Sequence, residues 1–400
     1  MYKIAKENLP ALFSRIAQRQ ELYLPVRVGE QVNFGAWSEE VQADLDTLKT
    51  VKSPKDVFFP QSETLYAVRK EGKKLTVEPE ALKDQDFVVF GMRACDVKGV
   101  QVLDRVFLAD PVDTYYAARR AHGTMVALAC GEPEESCFCK VFGVDAADPG
   151  HSLPMEPPSE MDGTESPSGA DVAAWMVGEY LYWKPVTEKG VILTGLLTEG
   201  ALPEENADGA GTPEKLPDTG LLEKADSPEE LRGLEAEMEK IRGIAEQLPY
   251  SGLSLEGWNK EALTEKFNSP LWEELYKPCL ACGTCTFVCP TCQCYDIKDY
   301  DTGHGVQRYR CWDSCMYSDF TMMAHGNNRN SQMQRFRQRF MHKLVYFPAN
   351  NEGMYSCVGC GRCVEKCPAA LNIVKVIKKF AETSGKAESR EKKEKGGAQG

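Results

Sequence analysis

Two stretches of the chain, CLACGTCTFVCPTCQC (279–294) and CVGCGRCVEKCP (357–368), repeat one spacing of cysteines. Each reads Cys-x2-Cys-x2-Cys-x3-Cys-Pro: Cys279, Cys282, Cys285, Cys289 and Pro290 in the first, Cys357, Cys360, Cys363, Cys367 and Pro368 in the second. Three thiols at this spacing let a tight loop wrap one face of a cubane, with backbone amides aimed at the sulfurs. Gly283 and Gly361 permit the close backbone approach that such a loop demands. The fourth thiol cannot reach the same cube, and the proline after it turns the chain toward the twin loop. The spacing therefore predicts crossed ligation of two 4Fe–4S clusters. Cys279, Cys282, Cys285 and Cys367 would hold the first; Cys357, Cys360, Cys363 and Cys289 would hold the second. A zinc ribbon pairs two Cys-x2-Cys knuckles around one ion and has no need of a fourth thiol followed by proline, twice over. Cubanes bound by interlocked loops must lie close, which suits electron hopping. Arg362 and Lys366 fall inside the second run, whereas the first offers Thr284, Thr286, Phe287 and Val288. Positive charge favours a reduced cluster, so the Cys357 cluster is expected to have the higher potential.

The rest of the composition narrows the setting. The chain has 400 residues, sixteen cysteines and a formal net charge of −13. That acidity argues against nucleic acid as the main partner. The opening residues MYKIAKENLPALFSRIAQRQ hold no signal-type apolar run, and no window approaches the roughly twenty apolar residues of a membrane span. A cytoplasmic chain is expected, and in a reducing compartment clustered cysteines read as metal ligands rather than disulfides.

At this length more than one domain is expected. Residues 1–150 alternate short apolar strands with helical patterns and read as an α/β domain. ENLPALFSRIAQ places Leu9, Leu12, Phe13 and Ile16 on one helical face; LYLPVRV and VNFGAW read as strands, and SEEVQADLDTLK as a helix. DFVVFGMR and TMVALAC read as buried strands, with the amphipathic helix DVKGVQVLDRVF between them. Residues 151–264 read as linkers, strands and a bridging helix. Within them, 149–171 and 203–226 are rich in Pro, Ser and Gly, VILTG reads as a strand, and Ser227, Pro228 and Glu230 open a capped helix. Residues 265–380 read as an α+β, bacterial-ferredoxin-like dicluster domain with an insertion between its two motifs. Residues 381–400 read as a disordered tail.

Eight cysteines lie outside the two runs. Cys95 and Cys130 each follow an inferred buried strand, and the carboxyl ends of parallel strands share one edge where sites form. Cys137 and Cys139 follow in SCFC. Taken alone, these four are either buried free thiols or ligands of a third cluster, and the Cys-x-Cys in a loop favours ligation. Cys292, Cys294, Cys311 and Cys315 fall between the runs, where they could bind a further metal, cap the neighbouring cubane or simply pack. The same region is basic, with Arg308, Arg310, Arg329, Arg335, Arg337, Arg339 and Lys343. A solvated helix, or a face toward an acidic partner or a reduced cluster, fits it better than a nucleic-acid surface. The G-x-G at 209–211 lies in a linker and no dinucleotide fingerprint follows a strand, so neither flavin nor nicotinamide is expected on this chain.

Taken together, FGMRACDVKGVQVLD, CFC, CLACGTCTFVCPTCQCYDI, RCWDSC and YSCVGCGRCVEKCP resemble a family of iron–sulfur subunits. Its members are the beta subunit of soluble archaeal sulfhydrogenase and the A subunit of anaerobic sulfite reductase. The resemblance covers most of the chain, although 149–171 stands out as inserted and Cys311 falls outside the family pattern. It implies a non-catalytic subunit relaying single electrons between a flavin- and NAD(P)-binding partner and a catalytic partner. That catalytic partner would be a hydrogenase, a sulfite reductase or a heterodisulfide-reductase-like module. The resemblance also implies that Cys95, Cys130, Cys137 and Cys139 ligate a third 4Fe–4S cluster. The alternative is a subunit that itself reduces sulfur, polysulfide or sulfite at a cluster, for which an uncommitted iron site is required.

Overall fold

A computed structural model describes residues 1–150, 169–198 and 220–383. The proline-rich stretches and the tail thus lie largely outside the described residues. In chain order the strands are β1 (Tyr2–Ala5), β2 (Glu21–Val28), β3 (Gln31–Ala36), β4 (Ser62–Glu71), β5 (Lys74–Pro79), β6 (Phe87–Met92), β7 (Gly123–Leu128), β8 (Val172–Val177), β9 (Tyr180–Pro185), β10 (Glu223–Lys224), β11 (Tyr295–Asp301) and β12 (Gly305–Trp312). One mixed sheet runs β10-β1-β9-β8-β7-β6-β2-β3. Its centre, β2-β6-β7-β8, is parallel, and the flanking strands are antiparallel.

The longer helices are α1 (Leu9–Ala17), α2 (Ala94–Phe107), α3 (Thr114–His122), α4 (Glu188–Thr198), α5 (Pro228–Gln247) and α6 (Gln332–Met341). Strand periodicity explains how they are shared between the two faces of the sheet. Along β6, Val88 and Phe90 pack with Leu9, Leu12, Phe13 and Ile16 of α1 and Leu193 and Leu197 of α4. Phe87 and Val89 point the other way, onto Val97, Val100 and Leu103 of α2 and Tyr116 of α3. Every residue of β6 and β7 is buried, as expected of central parallel strands. α5 begins at the expected capping box, with the Ser227 hydroxyl accepting from the Glu230 amide at 3.3 Å.

Two local expectations are overturned. SEEVQADLDTLK is not a helix, because its backbone is claimed from outside. The Arg27 and Asp44 amides bond the Gln42 and Pro25 carbonyls at 3.1 and 2.8 Å, laying the segment along β2. The Arg93 guanidinium then takes the carbonyls of Leu45, Thr47 and Leu48 at 3.1–3.3 Å. VILTG is not a strand but the middle of α4. Gly190, Leu193, Thr194 and Leu197 form its buried stripe, and Thr194 Oγ1 bonds the Gly190 carbonyl at 2.6 Å while accepting from Trp183 Nε1 at 2.8 Å. A β-branched run is a weak strand signal when a small residue such as Gly190 lets a helix press onto the Asp171 backbone.

The segment between the cysteine runs contributes β11 and β12, and β12 pairs antiparallel with β4, giving a second sheet in the order β11-β12-β4-β5. Arg310 of β12 is buried against Glu63 of β4 at 2.6 Å and also pairs with Asp113. A second core, centred on Trp258, Trp272, Phe336, Phe340, Ile373 and Phe380, underlies the cysteine runs. The two parts of the chain meet closely: Gly99 of α2 lies where an added Cβ would come within 2.7 Å of Pro290 Cβ. Arg362 reaches across to Asp96 at 2.7 Å, both side chains about 1% exposed, and to the Thr50 carbonyl at 3.0 Å. Removing one partner of a buried pair strands the other charge. Asp96→Asn is therefore expected to lower stability by about 3 kcal/mol or more, read as the urea midpoint of the anaerobically prepared protein.

Candidate metal centres

The two cysteine runs fold alike because both place left-handed backbone at the same positions. Ala281 and Gly283 have φ of +53° and +73°; Gly359 and Gly361 have +61° and +78°. Alternating handedness curls the amides inward, a geometry that cradles anions. The Ala281 amide donates to Cys279 Sγ at 3.4 Å, and the matching Gly359 amide favours the Cys357 thiolate in the same way. Short helical turns, Thr284–Phe287 and Arg362–Glu365, follow each loop. The glycines are needed: a Cβ on Gly361 would fall 2.5 Å from Ser136 Oγ, and one on Gly283 would fall 2.5 Å from the Tyr317 hydroxyl.

Cys279, Cys282, Cys285 and Cys367 line one cavity, so the last cysteine of the second run stands with the first three of the first. Cys289 lies among the electrostatic neighbours of Cys357, Cys360 and Cys363. Cys95 opens α2 at the end of β6, and Cys130 follows β7, so both sit at the carboxyl edge of the parallel strands. Cys130, Cys137 and Cys139 are mutual electrostatic neighbours, and Cys95 lies beside both Cys130 and Cys360. The Phe138 amide donates to the Gly359 carbonyl at 2.9 Å, which stitches the SCFC loop onto the second run. Exposure falls along the series: Cys282 is exposed, Cys360 is buried, and Cys95, Cys130 and Cys137 are buried.

Buried cations surround these thiols, an inward direction that composition alone does not reveal. Burial opposes the charge of Arg339, but Cys285, Cys363, Cys292 and Cys289 outweigh it and raise the guanidinium's affinity for its proton. Lys343 behaves likewise beside Cys289, Cys292 and Cys357, donating to Cys289 Sγ at 3.4 Å and to Thr291 Oγ1 at 2.8 Å. Among the described residues neither cation has a carboxylate partner, and Arg339 Nε has no hydrogen-bond partner at all. The basic stretch therefore turns its strongest charges inward, toward sulfur. Arg362 sits between Cys360 and Cys95, but its charge is matched by Asp96. Burial pushes the Cys357 and Cys130 thiols up to about 12, so in the absence of a bound cation they would be neutral. Burial also pulls Lys55 down to about 8, where it caps the Cys292 carbonyl at 2.9 Å and lies 3.6 Å over the Trp312 ring.

The remaining cysteines do not assemble into one four-thiol set. Cys289 and Cys292 are electrostatic neighbours, as are Cys294 and Cys315. Cys311 on β12 has Lys298, Asp296 and Asp313 as electrostatic neighbours, with no thiol among them.

Among the described residues, no three His, Cys, Asp or Glu side chains converge tightly enough for a single ion. Thiols grouped in fours yet held apart, with inward amides and unpaired buried cations, fit a polynuclear anionic group instead. This is the donor set of a ferredoxin-type iron–sulfur protein. A protein-family model described as a 4Fe-4S dicluster domain matches residues 278–371, and the chain accordingly carries two 4Fe–4S clusters in that region. The sulfhydrogenase 2 subunit beta of Pyrococcus furiosus is 30% identical over 384 residues, covering 95% of this chain and 98% of that one. The chain belongs to that family of iron–sulfur oxidoreductase subunits. No solved structure matches it. No helix among the described residues is long and apolar enough to cross a membrane.

The charge of Arg362 is matched by Asp96 and Arg339 lies between the two groups, so Lys343, beside Cys289 and Cys357, carries the asymmetry toward the second run. Lys343→Met is expected to keep the iron while lowering the midpoint potential of the cluster beside Cys289 by roughly tens of millivolts, with the other shifting less. An EPR-monitored redox titration reads this directly.

Proposed function

We propose that the chain is the electron relay of a cytoplasmic oxidoreductase complex. It would pass single electrons between a flavin- and NAD(P)-binding subunit and a catalytic subunit. The relative's name, a sulfhydrogenase subunit, favours a hydrogenase-type catalytic partner over a sulfite-reductase or heterodisulfide-reductase-like one. In this reading Cys279, Cys282, Cys285 and Cys367 hold one cluster, and Cys357, Cys360, Cys363 and Cys289 a second. Cys95, Cys130, Cys137 and Cys139 hold a third.

The observation that carries the reading is Arg339, buried and without a carboxylate, between Cys285 of one group and Cys363 and Cys289 of the other. A cation so placed demands anions on both sides, which clusters ligated by four thiolates supply. The clusters provide one-electron chemistry when bound; the residues of this chain set spacing, potential and insulation. Phe138, Val144 and Val358 fill the space around the inner thiols and keep water from them. At the outer end Cys282 is exposed beside Leu280, itself 67% exposed, so electrons would pass to a partner docked at that edge. In this reading the chain itself supplies no acid, base or nucleophile, and flavin and nicotinamide belong to the partner subunit.

Iron and acid-labile sulfide per chain test the assignment. About twelve of each is expected for three clusters; roughly eight would remove the N-terminal four from the relay, and a zinc-loaded, colourless protein would end the reading. Cys130→Ser is expected to remove about four irons while leaving the other two clusters visible by EPR.

A further inference from the structure

Arg339 and Lys343 give the two cysteine runs buried charge that no carboxylate answers. The group of Cys95, Cys130, Cys137 and Cys139 has its own such cation. Arg93 stands between β6 and α2, two residues before Cys95, and is 5% exposed. Its guanidinium reaches across to the end of the neighbouring strand, where Nη1 donates to the Ala129 carbonyl at 2.8 Å. That carbonyl belongs to the peptide leading into Cys130. The charge is therefore pinned at the carboxyl edge of β6 and β7, between the backbone positions of two thiols of the group. Its other donors, Nε and Nη2, take the carbonyls of Leu48, Leu45 and Thr47 at 3.1–3.3 Å.

Carbonyl oxygens satisfy those donors but bring no net charge, and the carboxylates nearby are committed elsewhere. Asp96 accepts from the main-chain amide of Arg93 at 3.2 Å, while its two oxygens face the Arg362 guanidinium at 2.7 and 3.3 Å. One carboxylate thus stands against two guanidinium groups. Lys49, beside Cys137, is answered by both Glu134 and Glu365. Among the described residues, Arg93 is the cation of this thiol group left without an ion pair. Holding the strap of 45–48 needs donors, not charge, and a buried charge with no counter-ion is costly. The charge has a use if an anion forms beside it. Of the groups around Cys130, Arg93 exerts the largest attraction on negative charge at its sulfur.

We infer that Arg93 is the fixed counter-charge of the third cluster and holds that cluster's potential above the value its ligands alone would give. The inference rests on the relay reading, in which Cys95, Cys130, Cys137 and Cys139 ligate that cluster. In the step concerned, one electron leaves the cluster of the second run, which is oxidised, and enters the third, which is reduced. No bond to the protein breaks and no proton moves, because a guanidinium keeps its proton at every accessible pH. The added negative charge arrives beside a positive one in a medium that screens poorly, so the reduced state is favoured. Without Arg93 the third cluster is harder to reduce, and electrons stay on the second.

The test uses the full chain, purified anaerobically with its clusters and titrated under EPR, the third cluster's signal being the one that Cys130→Ser removes. Arg93→Met should keep about twelve irons. At the poise where the unsubstituted third cluster is half reduced, its reduced-to-oxidised ratio should fall about tenfold or more, ~59 mV for a one-electron couple, with the other clusters shifting less. The shift should be the same at every pH, since arginine does not titrate. Arg93→Lys, which keeps the charge but not the fork of donors, should shift the ratio much less. No shift in Arg93→Met, or equal shifts in both variants, makes Arg93 a brace for the strap and overturns the inference. Should Arg93→Met lose the third cluster, Arg93→Lys decides: full iron at the original potential sustains the inference, and loss from both variants overturns it. Failure of the relay reading looks different, with about eight irons in the unsubstituted chain and no signal for Cys130→Ser to remove.

Discussion

Positive charge buried against sulfur is the constraint around which the rest of this structure is arranged. In a chain of net charge −13, three of the cations most withdrawn from solvent, Arg339, Lys343 and Arg362, face cysteines. Burying an arginine or lysine costs several kcal/mol unless an anion is near, and no carboxylate approaches Arg339 or Lys343 among the described residues. Neutral thiols would leave that cost unmet. Thiolates ligating an iron–sulfur group answer it, and the cations in turn lower the cost of placing an anionic group in an apolar interior. Each makes the other tolerable, so folding of the second core and filling of the cavity are expected to be coupled.

The same charges explain why the two parts of the chain cannot be understood as beads on a string. Arg362 belongs to the second cysteine run but spends its hydrogen bonds on Asp96 and Thr50 of the first 100 residues. Lys49, from the strap along β2, crosses in the opposite direction to Glu134, Ser136 and Glu365. These contacts fix the SCFC loop against the second run, which is where proximity matters for a relay. A rigid join holds the edge-to-edge distance between neighbouring groups constant, and electron hopping depends steeply on that distance.

What the sequence disclosed follows from what is local. Period-two burial along β6, the stripe of α1 and the cap of α5 are each set within a few residues, and the sequence displays them. The cysteine spacing is likewise local, and the match over 278–371 agrees with its reading as a dicluster domain. What stayed hidden depends on partners far away in the chain. The strap at 38–49 carries a helical pattern, but Arg93, more than forty residues on, takes its carbonyls. The runs also fail to reveal that Arg339 and Lys343 turn inward, because a basic helix with aromatic interleaving has the same composition whether its charges face solvent or sulfur. The signal that could have pointed inward was the company of Phe336, Phe340 and Leu344 on the same helical face.

The hairpin between the runs shows how a segment can serve the site without contributing a thiol to either run. β12 completes a sheet with β4, and that pairing carries Trp312 over the Phe59 carbonyl at 3.0 Å and beneath Lys55. Lys55 in turn caps the chain at Cys292, just beyond the crossing point marked by Cys289 and Pro290. A loop there would leave the crossing open to water, which screens charge and raises the reorganisation accompanying each electron. Backbone pairing between residues some 240 apart closes it with a surface that stays put. The short β12 bulge between Arg308 and Tyr309 then directs Arg310 inward to Glu63, locking the hairpin from its far side. The hairpin is a lid whose hinge has been sewn shut.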